Sequence, residues 1–266
     1  MIKKIFLTVT SIVVFSAAAI CQSEQLVVNL SSSALPGLLT FENPKGSIKV
    51  TGYDGDVLLA TGTLRYSDTE KPVNGMRRIE QKVLDISAEV EGCNIILMCT
   101  TTGKTVDFDI KLPRNFSLKL KSLDNGNIEV INMNGEIEAE NASGNISLGN
   151  IAGSAVLSSV YGKIEAVFRE VDPKSPMMFT SFEGDISVTL PESVKARLKL
   201  KSDNGEIMSD FEIKPEKRQS VITKDENTVV YSLEDWVVGT INEGGPEYII
   251  SSYNGNLFIR KKTDLL

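Results

Sequence analysis

Residues 122–166 read SLDNGNIEV, INMNGEIEA, ENASGNISL, GNIAGSAVL and SSVYGKIEA in succession: five phrases of nine residues, each with glycine fifth (Gly126, Gly135, Gly144, Gly153, Gly162). Each glycine is followed by a polar residue and then by apolar residues in alternation, so that Ile128/Val130, Ile137/Ala139, Ile146/Leu148, Ala155/Leu157 and Ile164/Ala166 repeat in phase. Asn-Gly supplies the positive φ of a tight turn, and the alternation gives a strand one buried and one polar face. Two architectures use such units. In an antiparallel meander, Asn-Gly closes successive hairpins. In a β-solenoid, each unit is one side of a coil and equivalent residues stack on neighbouring rungs. Five copies of constant length and phase favour the solenoid, because stacking punishes insertions that shift phase. The expectation is an all-β, right-handed β-helix-like solenoid with two units per rung, or three, against an antiparallel meander or sandwich.

The pattern extends outward from this stretch. LPRNFSLKLKSLDNGNIEV (112–130) is echoed by LPESVKARLKLKSDNGEIMS (190–209), and shorter echoes are ISSYNGNLFI (250–259), KGSIKV (45–50) and DGDVLL (54–59). The later glycine spacings, 162 to 184 and 184 to 205, fit two-unit rungs with longer corners. A nine-residue calcium roll needs paired glycines and a regular aspartate. The post-turn positions here are Asn127, Glu136, Asn145, Ser154 and Lys163, which do not supply one. Residues 76–88 have a weak helical period and read as loop into strand.

Residues 1–21, MIKKIFLTVTSIVVFSAAAIC, have two lysines, an uncharged apolar run and small residues at Ala19 and Cys21, the pattern of a cleaved signal peptide. Cleavage before Gln22 leaves 22–266 as a single β-repeat domain, exported to the periplasm, cell surface or exterior. Lipid anchoring at Cys21 is disfavoured by Ile20 before it, and the run of 16 is short for a span. No second spanning run follows, so the mature chain is expected to lack a transmembrane segment. Cys93 and Cys99 alternate with Ile95 and Leu97 on one strand face; about 20 Å apart at about 3.3 Å per residue, they are beyond disulfide reach and read as buried free thiols.

Composition narrows the chemistry. The 266 residues contain no histidine, which removes Ser-His-Asp and Cys-His catalysis, HExxH zinc sites and imidazole switches. The formal charge of −7 argues against nucleic acid, and aromatics at 6% leave few stacking platforms.

GSIKV, DFDIKLP, LKLKSLDNGNIEV, the nine-residue run, GDISVTLP with LKLKSDNGEI, and GGPEYIISSYNGNLFIRK together resemble the bacterial putative adhesin β-strand-repeat family, related to the head domains of auto-transporter adhesins. The resemblance covers about 40–262. It implies an exported solenoid-like domain of unknown function and brings no catalytic residues.

Surface candidates follow from the outward positions. Lys119 and Lys121, and Lys195, Arg197, Lys199 and Lys201, form basic rows on two related strands. Glu136, Glu138 and Glu140 form an acidic row about 6.6–7 Å apart. That spacing suits paired carboxylates, but a solvated strand face shows the same pattern. Opposite rows on neighbouring rungs would pair. Trp236, the sole tryptophan, reads as an end cover or a binding patch, and segments 22–40 and 212–240 as caps. The functional expectation is a non-catalytic, adhesin-like envelope or surface protein without cofactor or metal. Its partner would be an envelope glycan, an envelope protein or another copy. The alternatives are a carbohydrate-active enzyme on a solenoid and an envelope-stress accessory protein.

Overall fold

A computed structural model describes residues 23–30, 36–65, 84–101, 103–216, 220–225, 228–233 and 235–263. The export segment 1–21 and its cleavage site lie outside the described residues. In chain order the strands are β1 (Ser23–Asn29), β2 (Leu38–Asn43), β3 (Ile48–Tyr53), β4 (Val57–Arg65), β5 (Ile86–Glu91), β6 (Asn94–Cys99), β7 (Thr105–Pro113), β8 (Ser117–Ser122), β9 (Ile128–Ile131), β10 (Ile137–Ser143), β11 (Ile146–Gly153) and β12 (Ala155–Tyr161). They continue as β13 (Ile164–Val171), β14 (Met177–Glu183), β15 (Ile186–Leu190), β16 (Ala196–Ser202), β17 (Ile207–Ser209), β18 (Lys214–Pro215), β19 (Ser220–Asp225), β20 (Thr228–Leu233), β21 (Val237–Ile241), β22 (Glu247–Asn254) and β23 (Leu257–Lys261).

Apart from the two-stranded antiparallel pair β19-β20, the strands form two large, mostly parallel sheets. The first runs β1-β4-β7-β3-β9-β11-β13-β15-β23-β17 and the second β18-β21-β16-β22-β14-β12-β10-β8-β2-β6-β5. Within 128–171 the chain alternates between them, and each parallel neighbour lies 18 residues on: Ile128 beside Ile146 beside Ile164, and Ile137 beside Ala155. This is the solenoid, with two nine-residue units per coil, and the hairpin-closed meander is excluded. Alternation fills the interior as expected: Ile186, Val188 and Leu190 of β15 are buried and the residues between them are not. Edge-on contacts of Phe41 with Phe108 (centroids 4.8 Å) and of Phe168 with Phe179 (6.3 Å) bridge the two sheets through the core.

The corner from second to first sheet explains the glycines. A Cβ on Gly126 would stand 1.9 Å from the carbonyl oxygen of Gly46, one on Gly144 2.1 Å from that of Gly126, and one on Gly162 2.1 Å from that of Gly144. Gly184, Gly255 and Gly205 extend this column in the same way. The post-turn polar residue acts beside it: the Asn145 N–H donates to Asn127 Oδ1, and the Lys163 N–H donates to Asn145 Oδ1, both at 2.9 Å. Inside the same corner, buried side chains donate to glycine carbonyls of the preceding coil. Ser122 reaches Gly46, Asn141 reaches Gly126, and Ser252 reaches Gly184. Asn141 is thus a buried structural residue. Ser159 occupies the equivalent place in its coil, but its Oγ has no partner.

Coil order departs from chain order at both ends. The coil β22–β23 lies between β14–β15 and β16–β17, so Gly205 stacks on Gly255 and is not the neighbour of Gly184, as sequential stacking implies. At the other end β2–β3 sits between β6–β7 and β8–β9. Antiparallel strands then cover the outer edges. They are β4 and β1 on the first sheet at one end, β5 on the second sheet at that end, and β21 and β18 on the second sheet at the other. The cap segments expected at 22–40 and 212–240 contribute β1, β18 and β21 to these edges. Of the weak helical stretch 76–88, residues 86–88 open strand β5 and 76–83 lie outside the described residues; Cys93, just before β6, and Cys99 at its end are free and half-buried, not fully buried.

Candidate functional site

The outer face of the second sheet gathers most of the sequence-predicted surface residues. β8 and β10 are parallel neighbours in register, with Lys119 beside Glu138 and Lys121 beside Glu140. The alternation that buries Leu118, Leu120, Ile137 and Ala139 points these four side chains outward, and they pair at 2.9 Å and 3.2 Å. The expected opposite-charge rows on adjacent rungs are therefore real. The Glu138 hydrogen bond, followed by its charge, holds the Lys119 ammonium above its ordinary value. Glu136 lies exposed at the corner before β10, where its backbone N–H donates to Ser117 Oγ at 3.2 Å.

The second basic row lies on β16, separated from β8 by β22, β14, β12 and β10, so the two related strands do not form one basic surface. Arg197 there contacts Glu216 at 2.9 Å and also pairs with Glu247. The same Arg197 hydrogen bond keeps the Glu216 carboxyl below its ordinary range. Lys199 sits 4.9 Å above the centre of the Trp236 ring, and Lys201 pairs with Asp203 at 3.2 Å. Trp236, half-buried just before β21, therefore covers the basic strand near the end of the stack.

Between these charged flanks lie β12, β14 and β22. Their central outward positions align in rows: Val156, Met178 and Ile249 in one, Ser158, Thr180 and Ser251 in the next. A third row holds Val160, Phe182 and Tyr253, exposed at 43%, 49% and 48%. Phe182 and Tyr253 stack at 5.1 Å with planes 5° apart, and Tyr161 meets Phe182 edge-on at 6.4 Å. The first two rows are uncharged across three strands and end in charge at both sides. Glu138 is in register with Val156 and Lys199 with Ile249; Glu140 is in register with Ser158 and Lys201 with Ser251.

The aromatic row went unread in the sequence, although a signal existed. The outward positions before Gly162, Gly184 and Gly255 hold Val160, Phe182 and Tyr253, where the earlier phrases hold smaller residues or leucine. What hid it is adjacency. Phe182 and Tyr253 are 71 residues apart and meet only because β22 is inserted beside β14. The first sheet offers no comparable face, since Glu129 and Glu165 interrupt its middle strands. Among the described residues no helix is long and apolar enough to cross a membrane.

No curated protein matches the sequence. Among solved structures, a putative cell adhesion protein of Clostridium sporogenes aligns with a TM-score of 0.47 at 13% identity, covering 91% of this chain and 100% of that one. A putative adhesin of Bacteroides fragilis aligns with a TM-score of 0.44, also at 13% identity, over 91% of this chain and 97% of that one. The family model described as Toastrack DUF4097 matches residues 123–235, a span that takes in the nine-residue phrases and the central coils. Over this segment the chain is similar to the family described as Toastrack DUF4097.

Proposed function

We propose that the protein is an exported, non-catalytic, adhesin-like binding scaffold of the cell envelope or surface, and that it makes contact through the outer face of its second sheet. The observation that carries this reading is the uncharged, partly aromatic face over β12, β14 and β22, set between charged flanks on a core of stacked coils. Exposed apolar side chains gathered in one place mark interaction surfaces; scattered ones do not. The 1–21 segment supports export, and residues 22–266 would be the mature domain. Glu138 and Glu140 each hold a lysine of the neighbouring coil, which supports a structural role for the acidic row over an acid–base pair.

The test is a pull-down from fractionated envelope with the purified protein as bait, beside a Thr180→Lys variant that places a charge at the centre of the face. Retention of an envelope component by the first and not the second is expected. Equal retention by both would overturn the assignment of this face. Depolymerisation of an envelope polysaccharide that is lost in Glu138→Gln would overturn the non-catalytic reading.

A further inference from the structure

We infer that Asn204–Gly205 is the site at which this protein spontaneously deamidates, and that the isoaspartate formed there frees the edge strand β17.

The chemistry is open to any Asn-Gly pair. The glycine nitrogen, its proton lost to hydroxide, attacks the asparagine Cγ; a C–N bond forms, the Cγ–Nδ2 bond breaks, and the amide nitrogen takes a proton from water and leaves as ammonia. Water then opens the five-membered imide. Cleavage at Cγ gives aspartate, whereas cleavage at the main-chain carbonyl gives isoaspartate, whose chain runs through Cγ and is longer by one carbon. Glycine obstructs the attack least, having no Cβ. Ring closure nevertheless requires the Asn–Gly peptide plane to turn out of its place, so the reaction is limited by whatever holds that plane.

Four Asn-Gly pairs lie among the described residues, and a fifth, 74–75, lies outside them. All four asparagines are exposed, so access to solvent does not separate them. The stack does. Gly126 is buried between Gly46 and Gly144, close enough that a Cβ on Gly126 or Gly144 would overlap the carbonyl beneath it, and the Asn125 carbonyl accepts from Arg65 Nη1 at 3.1 Å. Gly255 lies in the same way between Gly184 and Gly205, and the Asn254 carbonyl accepts from the Gly184 N–H at 2.8 Å. Asn134 is held by its own amide, which donates to Asn115 Oδ1 at 3.0 Å and accepts from Arg169.

Gly205 is the last of its column. It rests on Gly255 and carries no glycine of a further coil, it alone of the four glycines is exposed, and among the described residues nothing donates to the Asn204 carbonyl. One long bond, from Nδ2 to the Tyr253 carbonyl at 3.3 Å, holds the side chain. The Asn204 N–H donates to the same carbonyl at 3.0 Å, but it lies before the bond that must rotate.

The added carbon would fall in the short link between β16 and β17. The three residues of β17 pair with β23 alone, and their register is fixed from the Leu257 N–H to the Glu206 carbonyl at 2.8 Å and from the Asp210 N–H to the Ile259 carbonyl at 2.9 Å. A lengthened link displaces Glu206 from this bond and from Asn256 Oδ1, which its N–H meets at 2.9 Å. An edge strand with so few bonds has nothing else to hold it.

The test is to age the purified full chain in mildly alkaline buffer and map the amide-to-acid mass gain by peptide mass spectrometry, with isoaspartate separated from aspartate by chromatography. Asn204 is expected to convert about tenfold faster than Asn125, Asn134 or Asn254, the ratio set by the extra bonds those three must break. In concentrated urea the four are expected to react at similar rates. Equal rates in the folded chain, or the same order of rates in urea, overturn the inference. Hydrogen exchange of the aged protein is expected to show the Asp210 amide unprotected in the isoaspartate form. Asn204→Asp, which brings the charge without the carbon, is expected to keep that protection. An isoaspartate form as protected as the unaged protein, or an Asn204→Asp variant that loses protection equally, overturns the release of β17 by a lengthened chain.

Discussion

Alanine at Gly126, Gly144, Gly92 and Gly149 separates the two reasons a corner can demand glycine. At Gly126 the backbone is one other residues adopt, but an added Cβ stands 1.9 Å from the Gly46 carbonyl oxygen. An ordinary contact needs over 3 Å, so the coils must part locally by about 1 Å. Around it the Ile48 N–H donates to the Asn127 carbonyl at 2.8 Å, the Asn127 N–H to Ser47 Oγ at 3.1 Å, and Asn141 Nδ2 to the Gly126 carbonyl at 3.0 Å. A shift of that size takes two or three such bonds out of range; at about 1 kcal/mol each net, Gly126→Ala costs about 3 kcal/mol. Gly92 has φ +61 and no atom near the added Cβ, so alanine there pays only left-handed strain, about 1–2 kcal/mol. Gly144 combines φ +135 with a contact of 2.1 Å, and its alanine variant is expected to lose about 4–5 kcal/mol. Gly149 meets nothing closer than 3.9 Å, and Gly149→Ala is expected to be neutral or to gain up to about 1 kcal/mol.

Urea unfolding followed by circular dichroism reads these differences as shifts in midpoint at constant slope. In a thermal scan about 3 kcal/mol corresponds to roughly 6–12 °C for a chain of this size. If Gly126→Ala loses no more than Gly92→Ala, close stacking of the corner glycines is not what selects them, and the account of the nine-residue spacing fails.

Ser159→Ala should be neutral or slightly stabilising, because the buried Oγ has no partner, whereas Asn141→Ala should lose about 1–3 kcal/mol by leaving the Gly126 carbonyl unpaired; equal losses in urea unfolding would contradict the internal ladder. Burial pushes the Tyr248 phenol up to about 12, and its hydroxyl has no partner. Unfolded tyrosine ionises near 10, so this group favours unfolding as pH rises from about 10 to 12; Tyr248→Phe should keep its stability and remove the late step of a 295 nm titration. Hydrogen bonds from Arg197 and Lys195 hold Glu216 and Glu243 below their ordinary range. Their stabilising effect is present above the unfolded carboxylate value of about 4.3 and is lost as pH falls through the depressed folded values. With no histidine in the chain, unfolding midpoints should be level from about pH 5.5 to 8 and decline only in acid; a step near pH 6.5 would contradict this.

The local rules were legible in the sequence because they repeat. Nine-residue phase dictated strands, alternation dictated which side chains are buried, and Asn-Gly marked the corners; Lys119 and Glu138 could even be expected to pair from neighbouring units. What no phase argument supplied was the order of coils. Ile186, Ile207 and Leu257 occupy the same interior place in their coils, and a hydrophobic pattern common to all coils fits any neighbour. The aromatic row stayed hidden for the same reason, since Phe182 meets Tyr253 only when the coil order is known.

The observed order has its own physical logic. A stack laid down in sequence leaves its last coil held on one side, and in repeat proteins such end units are the first to fray. Here β22–β23, the last of these coils in chain order, pairs on both sides, with β14–β15 on one and β16–β17 on the other. The outermost coil is meanwhile tied back by the antiparallel strand β21, which leads directly into β22. Corner chemistry fits this order. The Asn256 N–H donates to Asp185 Oδ1 and the Glu206 N–H donates to Asn256 Oδ1, both at 2.9 Å, so the acceptors needed to receive the next coil stand at 185 and 256. Deleting residues 247–266 therefore removes an interior layer. It leaves β14 and β16 facing each other across a missing strand and exposes Phe179 and Leu198, both buried in the intact stack. The truncated chain is expected to lose cooperative unfolding and to expose amides throughout 177–202 in hydrogen exchange. An independent layered stack would lose protection only in the deleted coil. Native-like protection of β14 and β16 in the truncated chain would show that the insertion adds nothing beyond one more layer.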